Sequence, residues 1–154
     1  MIVPPWYKIA EREIGVGEIS GSEDNPRIVE YLLTVFDHKQ HDEVAWCSAF
    51  VSWCMTQAGY YSTHSALARS WCYYGLPAIK PMIGDIIVLR RGKEAWMGHV
   101  GFYAGRRGDK ILLLAGNQSN EVNISAFPAS SIIAMRRPVL MIMPTGKIDK
   151  RRGV

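Results

Sequence analysis

The feature that most constrains this chain is a change of apolar period at Pro81. Before it, apolar residues recur at helical spacing. After it, short β-rich runs alternate with glycine-marked turns. In "PPWYKIAEREIG", Trp6, Ile9, Ala10 and Ile14 share one helix face, and Gly15 suits the C-cap. Asn25-Pro26 reads as an N-cap followed by proline at the first helical position, with Ile28, Val29, Leu32 and Leu33 in phase behind it. In "HDEVAWCSAFVSWCM", Cys47, Phe50, Val51, Cys54 and Ala58 fall on one face of a third helix, ended by Gly59. Ser65 to Gly75 reads as a shorter fourth helix. Downstream, "GDIIVLRR", "GHVGFYAG", "KILLLAGN", "EVNISAF" and "SIIAMRRP" read as five strands, with Arg107-Gly108-Asp109 as a tight hairpin connection. Helices first and an antiparallel meander second make an α+β domain. No linker divides the chain, so residues 1–145 form one domain and residues 146–154 a basic tail.

A chain of 154 residues is long enough to bury a real core. No apolar run approaches the ~18 to 20 residues a membrane helix needs, so no stable membrane insertion is expected. The N-terminus lacks the basic start and apolar core of a secretory signal, which points to synthesis in the cytoplasm without a classical export signal. The net charge of +4 resides largely in the tail, where Lys147, Lys150, Arg151 and Arg152 face Asp149 alone. That tail reads as a solvated terminus rather than an anion-binding arm. Elsewhere charges are mixed, and no basic stripe interleaved with aromatics argues for nucleic acid. The three cysteines, Cys47, Cys54 and Cys72, are an odd set and read as thiols, with Cys72 buried. They have no metal-ligand spacing, which disfavours zinc.

Position along the third helix separates the two tryptophan-preceded cysteines. Asp42 at or just before the N-cap puts Cys47 in the first turns, where the helix dipole and free N–H groups lower a thiol pKa. Cys54 lies two turns deeper, between Trp53 and Met55, and reads as a small hydrophobe. Trp46 and Trp53 read as packing residues. A cysteine nucleophile needs a base. Of the four histidines, His99 opens a β-run after a glycine, so it would be held rigidly at a strand mouth. A third group should accept the other imidazole N–H. Asn117 ends the apolar run "LLLAGNQ", where a paired strand would bring it beside His99, although "GNQSN" also reads as a plain turn.

"DEVAWCSAFVSWC", "PMIGDIIVL", "GHVGFYAG" and "LLLAGNQSNEVNISAFPASSIIAMRRP", taken in order, resemble the NlpC/P60 and CHAP superfamily of papain-like cysteine peptidases and amidases. Within it they resemble a compact CHAP-like subgroup of phage lysins and bacterial secreted effectors. The resemblance runs from about Glu11 to Pro138. It implies a papain-like fold of N-terminal helices on a C-terminal antiparallel sheet, with Cys47 as nucleophile, His99 as base and Asn117 as third residue. Many CHAP domains carry a glutamate two residues before that asparagine. Here Ala115 stands there, leaving the role to Asn117 or to Gln118. An oxyanion donor would come from the backbone N–H of Cys47 or Ser48, or from the side chain of Gln40 or Tyr31. Ser48, Gln40, Trp71 and Gln118 are the substrate-contact candidates. In "ARSWCYYG" a packing role for Arg69, Ser70 or Trp71 outweighs a contact role.

The function implied is hydrolysis of a peptidoglycan amide, in the stem peptide or at the N-acetylmuramoyl-L-alanine link, with no metal or organic cofactor. The protein would act in the periplasm or cell wall as a monomer, delivered by a holin or a secretion system, and an immunity or inhibitor protein is a conceivable partner. Two rivals share the features: a thiol transferase or hydrolase toxin with another substrate, and a non-catalytic domain that binds wall fragments or a partner.

Overall fold

The computed structural model describes residues 2–21, 23–40, 45–142 and 148–149, the last pair and 141–142 by their backbone only. Three α-helices come first: α1 (Pro5–Arg12), α2 (Pro26–Leu32) and α3 (Cys47–Gln57). A 3-10 helix, Ala68–Tyr73, follows. Then come β1 (Leu76–Pro77), β2 (Ile86–Arg90), β3 (Gly98–Arg107), β4 (Lys110–Gln118), β5 (Glu121–Pro128) and β6 (Ile132–Arg137). Met141–Ile142 (β7) and Ile148–Asp149 (β8) pair as a small separate ribbon. The α+β class and the five strands are therefore as the sequence pattern requires. The rest of the basic tail lies outside the described residues.

The local signals act as expected at α1 and α2. Pro5 and Pro26 open their helices, and the Asn25 side chain accepts from the Arg27 N–H at 2.9 Å. Gly15, at φ +98°, takes the left-handed turn after α1, and its N–H donates to Val122 O on β5. Trp6 Nε1 donates to Gly84 O at 2.7 Å, tying α1 to the entrance of β2.

Three expectations change. The sheet is not a plain meander. Its order is β1-β6-β2-β3-β4-β5, because β6 returns to pair with β2 and takes the short β1 on its other edge. The segment after Ser65 winds as a 3-10 helix, and Cys72 in it is only partly buried. Finally, α3 is not amphipathic. Every residue from Cys47 to Met55 is buried. A helix apolar all round belongs in the middle of a fold, and α3 lies between α1 and α2 on one side and β3 and β4 on the other.

The helix face of the sheet carries Val88, Val100, Phe102 and Leu114, packed on Trp46, Phe50 and their neighbours. The opposite face carries a smaller cluster of Ile87, Leu89, Ile111, Leu113 and Ala115 under Phe127 and Met135. Where α3 meets β4 the approach is closer than any side chain allows. A Cβ on Gly116 would stand 2.5 Å from the Trp46 ring and 2.8 Å from Phe50 Cβ. Gly116→Ala should therefore overpack this contact and cost about 1–3 kcal/mol. Urea unfolding with an unchanged m-value checks the cost.

Candidate functional site

The helix α3 begins at Cys47 itself, with Trp46 at the N-cap and no side-chain cap. The expected cap, Asp42, lies outside the described residues. The first intrahelical bond runs from Phe50 N–H to Trp46 O, so the N–H groups of Cys47 and Ser48 have no partner within the helix. Trp46 fixes this end twice: its ring rests on Gly116 and its Nε1 donates to Glu18 at 2.9 Å.

The expectation of a low thiol pKa meets a stronger opposing effect. Cys47 is 6% exposed, and burial pushes its thiol above the ordinary value. The Val100 and Ser48 N–H groups and the Arg91 guanidinium pull it back only in part. The same set still separates Cys47 from Cys54, which is fully buried and raised well above the ordinary value by desolvation and the Glu13 carboxylate.

His99 stands in the opening of β3, 4% exposed, with its ring 5.4 Å from that of Phe127. Strand alternation predicts Asn117 as its neighbour, in step with Leu113 and Ala115. The hydrogen bond runs instead from His99 Nε2 to Gln118 Oε1, at 3.0 Å. The reason is a β-bulge. The β4–β5 register shifts between Ala115 and Gln118, and Asn117 adopts φ +58°, which asparagine tolerates well. One extra residue advances the phase, and Gln118 takes the place alternation gives to Asn117.

Gln118 also fixes the imidazole tautomer. Its Nε2 donates to Leu113 O at 3.2 Å and to Asn123 O and Oδ1 at 2.8 Å each. The amide nitrogen is thereby committed, so Oε1 faces His99 and must accept. His99 Nε2 then carries the proton, and Nδ1 presents the basic lone pair. Nδ1 is buried and has no hydrogen-bond partner among the described residues. Burial lowers the imidazole pKa below the ordinary 6.5, against the opposite pull of Gln118.

Two clefts flank this end of the sheet. One, of about 450 Å³, is lined by Cys47, Gly98, Phe36, Leu67 and Trp96 among others. The second, of about 460 Å³, is lined by His99, Gln118, Phe127, Arg90 and several serines. Asn117 and Arg91 line both. Asn117 is thus a wall between the two clefts. Arg91 is a residue that sequence reasoning passed over, since its only signal is its place at the end of the β2 run.

Other candidates are engaged elsewhere in the structure. Ser48 is fully buried, its Oγ donating to Ser65 O at 2.6 Å and accepting from Trp71 Nε1 at 2.8 Å. Trp71 is fully buried as well, so neither side chain has surface to offer a substrate. Tyr31 spends its hydroxyl on Glu13, at 2.7 Å, inside the core. Arg69 holds the loop before β3 through Met97 O at 2.6 Å. Gln40 bonds the His38 ring at 2.5 Å and lines neither cleft.

A CHAP domain model matches residues 39–117, just over half of the chain. The chain belongs to the CHAP domain family, a family of peptidoglycan hydrolases that are generally cysteine amidases and peptidases. Its fold is shared by the wild-type endolysin LysIME-EF1, whose crystal structure matches with a TM-score of 0.51 at 16% identity, over 96% of this chain and 73% of that one. No curated protein matches.

An NMR titration should place the His99 pKa below 6.5. In Gln118→Leu it should fall further, because the imidazolium loses its acceptor.

Proposed function

We propose that the chain is a peptidoglycan amide hydrolase in which Cys47 is the nucleophile, His99 the base and Gln118 the group that orients the imidazole. The observation that carries this reading is the unpartnered, buried Nδ1 of His99, in the tautomer that accepts a proton, on the strand whose Val100 N–H reaches the Cys47 thiol. An unsatisfied buried nitrogen costs folding free energy and is rarely left without a use.

Burial disfavours both charged forms, so the resting pair is a neutral thiol and a neutral imidazole. Proton transfer then accompanies attack. Cys47 Sγ forms a bond to the substrate carbonyl carbon as its proton passes to Nδ1. The carbonyl oxygen, now an oxyanion, takes the N–H of Cys47 at the head of α3. Collapse breaks the C–N bond, and Nδ1 returns the proton to the leaving amine. Water, deprotonated by the same Nδ1, then hydrolyses the thioester. The bond cut is an amide of the stem peptide or the link between muramic acid and L-alanine. The site of action is the cell wall. The endolysin fold and the CHAP family membership support this substrate class.

Digestion of purified muropeptides, read by mass spectrometry, tests the reading. The wild type should release fragments whose masses name the bond, and Cys47→Ala and His99→Ala should release none. Products appearing equally with Cys47→Ala would remove the thiol from the mechanism. The acid limb of kcat/KM should lie below pH 6.5: a lowered imidazole pKa keeps the base neutral as pH falls through the ordinary value, and activity is lost only further down.

A further inference from the structure

We propose that Arg91 is a specificity-determining residue that holds a substrate carboxylate beside the scissile amide, so that the enzyme selects peptides with a free acid at that position. The inference deepens the hydrolase reading and rests on Cys47 as its nucleophile. Among the described residues Arg91 is the one charged side chain that lines both clefts, and it is exposed. Arg90 adds a second cation to the cleft of His99. Among the described residues no aspartate or glutamate lines either cleft, and Arg91 makes no ion pair with a carboxylate. The contrast with Arg27 and Arg137 is direct: each of those is bound to a carboxylate, Glu13 and Asp85 respectively. A guanidinium offers a planar fork of donors that matches a carboxylate in two parallel hydrogen bonds. Its field reaches both reacting groups, the Cys47 thiol and the His99 ring. A ligand spanning the two clefts across Asn117 therefore meets Arg91 on the way.

The chemistry of the ligand follows. A peptide whose residue next to the scissile bond carries a free carboxylate gains that charge-assisted contact, and the same peptide with the acid amidated does not.

The test has two arms. In the first, Cys47 alkylation by iodoacetate and by iodoacetamide is followed by mass spectrometry at one pH, so that the thiolate fraction cancels in the ratio of the two rates. Arg91→Gln should lower the iodoacetate to iodoacetamide ratio by about three- to fivefold, the size expected of a partly exposed charge pair. Arg91→Lys, which keeps the charge and loses the fork, should keep only part of the ratio. Arg107→Gln, which removes the same charge at the far end of β3, should leave it unchanged. In the second, kcat/KM is measured on muropeptides that differ only in a free or amidated acid beside the cut. The wild type should prefer the free acid, and Arg91→Gln should abolish the preference while still cutting the amidated peptide. An alkylation ratio that ignores Arg91 overturns the inference and leaves the hydrolase reading standing. An Arg91-dependent ratio without cleavage of any muropeptide keeps the carboxylate site and overturns the hydrolase reading.

Discussion

The contact between Trp46 and Gly116 is the constraint on which the site depends. It joins the first residue before α3 to the last regular residue of β4, at a distance that excludes even a methyl group. On one side of it lies Cys47, and on the other lies the bulge that turns Gln118 towards His99. Both halves of the site are thus referred to a single backbone approach. The surrounding bonds stiffen it: Trp46 to Glu18, Trp71 to Ser48, and the Gln118 amide to three oxygens. Reactive side chains placed on a buried helix and a paired strand gain a precision that loops do not give.

Much of the fold is legible in the sequence because its signals are local. Proline after a cap residue opens α2, a left-handed glycine closes α1, and the five β-rich runs appear where period and turn residues put them. What is not legible is set by long-range pairing. The return of β6 to the far edge of β2 depends on packing between residues about fifty positions apart, as in the pair Val88 and Ala134. The full burial of α3 could not come from its phase alone, because its polar members Ser48 and Ser52 look like a solvent face. They are instead satisfied inside, by Ser65 O and Trp71 for Ser48 and by Ser62 for Ser52.

The site follows the same division. Cys47 at the first residue of α3 and His99 at the start of β3 lie where helix position and strand context place them. The partner of the imidazole is legible only as a choice between Asn117 and Gln118, because the alternation that favours Asn117 holds only while the ladder is regular. Asn117 is the kind of residue that ends such regularity, by entering the left-handed region. The glutamate that many relatives carry two residues before this asparagine has no counterpart in use here. Ala115 faces the smaller core, and Gly101 opposite it has no room for more.

Burial then decides how the chemistry proposed for this site must run. An ion pair of thiolate and imidazolium is the resting state only where the environment favours both charges. Here desolvation opposes each one. A neutral orienting amide at Gln118 holds the ring without supplying the negative charge that would stabilise an imidazolium. The charge that the reaction develops is therefore met at the moment of attack, by groups aimed at the sulfur and at the carbonyl oxygen rather than at the ring. The N–H groups at the head of α3 and the Val100 N–H are all of one sign. They favour an anion on the nucleophile and on the oxyanion that follows. In the mechanism proposed, such an arrangement would lower the barrier more than it stabilises the resting thiol, which is the property a catalyst needs.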